Sequence, residues 1–280
     1  MDRTRTKNSD AKTNSSFLGY TMAGFPIVSQ SFKVGFLTVR YYSLFFVAGV
    51  VIAYFIAKAK ALKKGISETV FDEMIFWTVL FGFISARIYY VLFYFDQYST
   101  NLSEIFKVWH GGLAIYGGLI GGVITLYFLS KKHNVNFFSL TDVIVLGLPL
   151  AQAIGRIGNY FNYEAFGKPT DLPWKMFVPA NFRPDGFQSS SFFHPTFAYE
   201  IVSNLLVFFF LWRISKKTNN SGILTGAYLI LYSIGRFFIE SIRLDSAFIG
   251  VFRVDQLVSL LLIFAGLGII INRYVAQTSK

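Results

Sequence analysis

The chain has 280 residues, 54% of them hydrophobic and 15% charged, with a mean hydropathy of +0.49; so apolar a composition excludes an ordinary soluble domain and points to a polytopic membrane protein. Twenty-six Lys and Arg against 15 Asp and Glu leave a formal charge of +11, which favours anionic lipid head groups or an anionic substrate. The basic residues are scattered between apolar runs, which argues against nucleic acid as a partner, and the lack of cysteine excludes disulfides, thiolate metal sites and a cysteine nucleophile of the protein's own.

In chain order, residues 1–16, MDRTRTKNSDAKTNSS, are polar and mixed in charge, carry no apolar core of a cleavable signal peptide, and read as a disordered tail. With the lead-in they make a first segment, 1–38. Apolar runs of about 20 residues, the length that crosses a bilayer, fall near 39–58, 71–95, 110–130, 139–160, 196–213, 222–242 and 252–272. The expected fold is therefore an all-α bundle of about seven transmembrane helices, a domain spanning 39–273, with 274–280 as a C-terminal tail. Lys58, Lys60, Lys63 and Lys64, then Lys131 and Lys132, then Arg213, Lys216 and Lys217 occupy alternate connectors. Short basic connectors belong in the cytoplasm, which predicts the N-terminus outside and the C-terminus inside. Arg3, Arg5, Lys7 and Lys12 run against that orientation. The single long connector, 161–195, carries Pro169, Pro173, Pro179, Pro184 and Gly186 and reads as a turn-rich loop of functional length on the outer face.

Several stretches put polar groups where an apolar span gains nothing from them. Arg40, Tyr41 and Tyr42 stand at the outer boundary of the first span, as interfacial anchors do. In HGGLAIYGGLIGG, His110 precedes paired glycines, of which Gly117 with Gly121 and Gly118 with Gly122 have the spacing of close helix packing. His110 itself is either a proton acceptor or an interfacial hydrogen-bonding group. GRIGNYFNYEAFG carries Arg156 and Asn159 on one helical face, with Gly155 and Gly158 permitting close approach. Arg156 either snorkels to the interface or binds an anion. HPTFAYEIVSN opens the fifth span at Pro195 and places Glu200 where it needs a cation, Arg156 or Arg236, or else a proton. In GRFFIESIRLDS, Arg236, Glu240 and Arg243 recur at i, i+4 and i+7, so that two cations share one carboxylate along one face of the sixth span. A phosphate offsets such a surplus, and so, more blandly, does an ion pair that fixes packing. His110 and His194 lack a third ligand at recognisable spacing, so neither a metal nor a cofactor is expected. His133, among lysines, reads as a surface residue.

From Val39 to Asn272, these four motifs resemble, in order and spacing, the prolipoprotein diacylglyceryl transferase family. GRIGNYFNYEAFG is the most specific, matching Gly-Arg-x-Gly-Asn-x-x-Asn followed by Glu and Gly. The departures are Tyr116, where many members carry a second histidine, Phe197 and Ala198, where Gln and Leu are usual, and Asp255, where glycine commonly precedes Gln256. The resemblance implies an enzyme of the bacterial plasma membrane. It would move the diacylglyceryl group of phosphatidylglycerol to the lipobox cysteine of a preprolipoprotein signal peptide, form a thioether and release glycerol phosphate. It also implies catalytic roles for Arg156, Arg236, Tyr42 and His110. The implied substrate-contacting set is Arg156, Asn159, Asn162, Glu164, Gly167, Glu200, Glu240 and Arg243. The rival reading of the same arginines is a transporter or flippase for an anionic lipid, and a second rival is a scaffold whose ion pairs only hold helices together.

Overall fold

In the computed structural model, residues 18–20 and 26–278 are described. Among them seven α-helices follow one another: α1 Tyr41–Lys63, α2 Glu68–Phe93, α3 Ile115–Lys132, α4 Phe137–Asn162, α5 Thr196–Lys217, α6 Ile223–Glu240 and α7 Val254–Thr278. Six of them, all but α3, are long and apolar enough to cross a bilayer. The chain is thus an all-α, multi-pass membrane bundle of six or seven spanning helices. The N-termini of α1, α3, α5 and α7 share one end, here called the upper end. The lysines of the α1–α2, α3–α4 and α5–α6 turns share the other.

Local sequence sets most helix ends. Ser67 caps α2 by accepting from the Val70 amide, and Asn136 caps α4 by accepting from Ser139, each satisfying a backbone donor that the first turn leaves unpaired. Asp142, buried in α4, reaches across the bundle to cap α6: its carboxylate takes the Gly222 and Thr225 amides at 2.8 Å each and the Thr225 hydroxyl at 2.7 Å. The third helix begins at Ile115, not at His110 as its apolar run predicts. Gly111 and Gly112, at φ +91° and +81°, adopt a backbone that continues no right-handed helix, and His110 is left in a 3-10 turn, Val108–His110.

Small residues bring helices into backbone contact. An added Cβ at Gly49 would stand 2.8 Å from the Ala151 carbonyl oxygen, and one at Gly147 would stand 2.7 Å from that of Ala53, so α1 and α4 touch along their length. The glycines of α3 serve α2 as their spacing predicts. A Cβ at Gly117 would meet the Ser85 carbonyl at 2.7 Å and one at Gly121 would overlap the Ser85 side chain. α6 and α7 close through Gly226 and Gly266. Around α4 sit two apolar cores, one with Phe71, Met74, Leu140 and Val143 near the lysine end, the other with Val145, Leu146, Val207 and Leu211.

Beyond the helices, residues Ser31–Val34 and Leu37–Arg40 pair as an antiparallel hairpin that runs straight into α1. The disordered tail expected at 1–16 lies outside the described residues, as do 17 and 21–25. The long connector is more than turns. Met176–Phe177 pairs with Phe192–Phe193, and Tyr163, Phe166, Met176, Val178 and Phe193 form a third core of its own. Arg183 ties this unit together, donating to the Val178 and Gln188 carbonyls and to the Ser191 hydroxyl.

Candidate active site

At the upper end, Glu200 in the first turns of α5 is 3% exposed and gathers three arginines. Its Oε2 lies 2.6 Å from Arg156 Nη2 on α4, and its Oε1 takes Arg236 Nη1 of α6 at 3.1 Å and Arg243 Nη1 at 2.8 Å. Both expected cations serve Glu200, together with a third. A carboxylate so buried is tolerable only when its lone pairs are filled by such donors, and Arg156 therefore pairs inward rather than snorkelling.

Arg236 meets two further carboxylates. Glu240, one turn on and 1% exposed, faces Arg236 Nη2 at 2.8 Å as an ionic contact without an aligned hydrogen bond. Asp255, in the first turn of α7, takes Arg236 Nη2 on one oxygen and accepts from the Tyr116 hydroxyl of α3 at 2.5 Å on the other. The two residues at which the chain leaves the family pattern around this point are thus partners of one another. Arg243 does not continue the face of α6, because the helix ends at Glu240 and Arg243 follows in a turn. From there its Nε and Nη2 hold Asp245 at 2.8 and 2.5 Å. Burial raises the Asp245 carboxyl more than any one neighbour lowers it, but the hydrogen bond from Arg243 and the charges of Arg243 and Arg236 together leave the group below the usual carboxylate range. Arg253 in turn donates to the carbonyls of Glu240 and Arg243 at 2.7 and 2.9 Å, pinning the turn between α6 and α7. The expected excess of two cations over one carboxylate is therefore corrected. Four carboxylates, from α5, α6, the α6–α7 turn and α7, surround these arginines, because Glu200, Asp245 and Asp255 come from parts of the chain that a reading of one helix face does not include.

On α4, Arg156 Nη1 donates to Asn159 Oδ1 at 3.3 Å, and Asn159 and Asn162 each donate to Glu164 at 3.3 Å. Glu164 thus reaches Arg156 through Asn159 and makes no direct contact of its own with it. Tyr163 and Ala165, at φ +55° and +54°, turn the chain sharply so that the carbonyl of Ala165 accepts the Thr196 hydroxyl and the Phe197 amide. Gly167 then lies flat against the α6–α7 turn. Its amide donates to the His194 carbonyl at 2.8 Å, and an added Cβ would stand 2.7 Å from the carbonyl oxygen of Ile242. Gly158 is the residue against which Tyr42 packs, with room for no Cβ: the Tyr42 Cα and ring would be 2.9 Å away. Gly155 faces open space.

His110 stands apart from this network. Its Nδ1 lies 2.7 Å from Glu104 Oε2, whose other oxygen takes Lys107 Nζ at 2.5 Å. The hydrogen bonds from Lys107 and then His110 hold Glu104 below the usual glutamate range. What shapes this loop is Arg87, a residue the motif reading passes over. Arg87, 7% exposed within α2, donates to the carbonyls of Glu104, Ile105, Gly111 and Gly112 and lies over the Tyr98 ring. A single arginine within a long apolar run is the signal that marks it. His194 pairs with the Tyr199 hydroxyl at 3.1 Å, which also accepts from the Trp174 indole.

The arrangement is a set of guanidinium groups from α4, α6 and the α6–α7 turn held by buried carboxylates, with donors fit for phosphate oxygens. Comparison with known proteins agrees in kind. The profile described as prolipoprotein diacylglyceryl transferase matches residues 29–272. The phosphatidylglycerol–prolipoprotein diacylglyceryl transferase of Fervidobacterium nodosum is 48% identical over 237 residues, covering 84% of this chain and 81% of that protein. The proteins of the same name from Thermotoga petrophila and a Synechocystis strain are 46% and 39% identical, covering 89% and 93% of this chain and 86% and 93% of their own lengths. On this match across nearly all of the membrane bundle, the chain belongs to the prolipoprotein diacylglyceryl transferase family, and is a membrane-embedded transferase of lipoprotein biosynthesis.

Proposed function

We propose that the protein transfers the diacylglyceryl group of phosphatidylglycerol to the lipobox cysteine of a preprolipoprotein in a bacterial plasma membrane. The thiol sulfur attacks the glycerol carbon that carries the phosphate, a C–S bond forms as the C–O bond breaks, and glycerol phosphate departs with the electron pair. The thiol gives up its proton, and the product is a thioether. In this reading the chain crosses the membrane seven times within 39–273, with 1–38 and the upper end outside and 274–280 in the cytoplasm, as the lysine-rich turns support.

The chemistry needs a stabilised phosphate leaving group and an activated thiol, whose ordinary pKa is about 8.5. Arg156 and Arg236 hold the phosphate and Arg243 supports them. Asn159 and Asn162 address the glycerol hydroxyls, with Gly167 beside them. Glu164, Glu200 and Glu240 keep these donors in place, while Tyr42 lines the approach. His110 takes the thiol proton. The observation that carries the reading is the convergence of Arg156, Arg236 and Arg243 on Glu200, which preorganises donors before any substrate arrives.

Purified protein incubated with phosphatidylglycerol vesicles and a lipobox peptide should add the mass of diacylglycerol to the cysteine and release glycerol phosphate. An unmodified peptide, with the lipid instead appearing in the opposite leaflet, would overturn the reading in favour of a flippase.

A further inference from the structure

We propose that Tyr116 and Asp255 are positioning residues that set the orientation of Arg236 for the transfer; the proposal rests on the transferase reading above. Arg236 faces three carboxylates, and they are not equivalent. Glu200 divides itself among Arg156, Arg236 and Arg243. Glu240 offers charge without an aligned hydrogen bond. Asp255 gives Arg236 a direct hydrogen bond and has its second oxygen held, at 2.5 Å, by a side chain from another helix.

That second hold decides what Asp255 can do. A carboxylate with both oxygens free would rotate and take Arg236 in a two-pronged grip, drawing the guanidinium away from Glu200. With Oδ1 committed to the Tyr116 hydroxyl, Asp255 offers one oxygen only. Arg236 Nη1 then stays on Glu200, in line with Arg156 and Arg243. Asp255 is also the most exposed of the three, at 33% against 3% for Glu200 and 1% for Glu240. It is therefore the carboxylate that competes with an incoming phosphate for Arg236. The positive end of the α7 dipole suits a carboxylate in its first turn, where Asp255 stands.

Two variants and their combination test this. Tyr116→Phe should lower kcat about tenfold and raise KM for phosphatidylglycerol, since the freed Asp255 oxygen strengthens the grip that competes with the phosphate for Arg236. Asp255→Asn should lower kcat by about ten- to a hundredfold and also lower KM for phosphatidylglycerol, because the competitor of the phosphate loses its charge. A residue that only holds helices together would not make KM fall. The double variant should match Asp255→Asn alone, because Tyr116 acts only through Asp255. A second readout needs no turnover. In 15N-arginine spectra of the detergent-solubilised protein, with Arg236 identified by Arg236→Lys, the paired Nη signals should stay resolved and shift in Tyr116→Phe as the guanidinium turns from Glu200 towards Asp255. Wild-type kcat in Tyr116→Phe, losses that multiply in the double variant, or an unchanged Arg236 signal would each overturn the proposal. So would a loss of activity that merely tracks the folded fraction. A wild-type protein that transfers nothing, together with a shifted Arg236 signal in Tyr116→Phe, would instead sink the transferase reading and leave the positioning intact.

Discussion

Glu200 Oε2 lies 2.6 Å from Arg156 Nη2 while Glu200 Oε1 holds Arg236 and Arg243, so one buried carboxylate fixes cations from α4, α6 and the turn beyond it. Glu200→Gln keeps the shape and removes the charge. Breaking a buried pair by neutralising one partner costs about 3–5 kcal/mol, and here three partners lose their anchor at once. The variant should insert in membranes yet fall below about 1% of wild-type transfer, with a lowered Tm in detergent. Full activity in the peptide assay would show that the three arginines do not depend on their shared partner.

Arg156→Ala and Arg236→Ala should each reduce kcat by about 10²–10³-fold or more, the range seen when one preorganised donor to a developing anion is removed. Lysine at either position should rescue little, because a point charge cannot replace a planar fork that contacts two acceptors. Membrane fractionation together with turnover separates this outcome from failed insertion.

His110→Gln should lower kcat by about 10²-fold if the imidazole takes the thiol proton. Its neighbour Glu104 supplies a pH test. Because the folded-state pKa of Glu104 lies below its ordinary value, its contribution to the loop is complete above the ordinary glutamate range and is lost only as pH falls through the lower, folded value. Between pH 6 and 9 the anchor is constant. Activity should therefore not fall through loss of this anchor until the medium is more acidic than the ordinary glutamate range, and Glu104→Gln should remove that acid-side fall. An acid-side fall that survives in Glu104→Gln would place its origin outside this loop.

Two glycines of one motif should behave oppositely. Gly158→Ala drives a methyl into the Tyr42 backbone and ring, 2.9 Å away, an overpacking that typically costs about 1–3 kcal/mol. Gly155→Ala points into open space within α4 and should gain up to about 1 kcal/mol from helix propensity. Thermal unfolding in detergent of the two single variants reads this directly. A Gly158→Ala protein as stable as the parent would mean that α1 and α4 are not in the contact described.

Much of the bundle is legible from the chain because bilayer-length apolar runs are a strong pattern, and Arg156, Glu200 and Arg236 stand out within them as charges that need a partner. What the pattern does not carry is the rotation of each helix about its axis. It therefore leaves open that Arg156, Arg236 and Arg243 meet on one side chain, and it assigns Arg243 to a helix that ends three residues earlier. The paired glycines at 111 and 112 are visible, but their positive φ, which delays α3 to Ile115, is a property of the fold around Arg87. Tyr116 and Asp255 lie far apart in the chain, and only the fold brings them into contact. The core of the long connector, with Phe166, Met176, Val178 and Phe193 at irregular spacing, has no period for a sequence reading to detect.

The backbone contact of α1 with α4, through Gly49, Gly147 and Gly158, means that the wall carrying Tyr42 and Arg156 is set by shape. The facing wall, with Arg236, Arg243 and their carboxylates, is set by charge. Salt screens exposed charges far more than buried ones, and Glu200 and Glu240 are 3% and 1% exposed. Ionic strength should thus leave both sides in place, so that any salt dependence of the reaction reports on how the substrates reach the site from the lipid surface and not on the arginines.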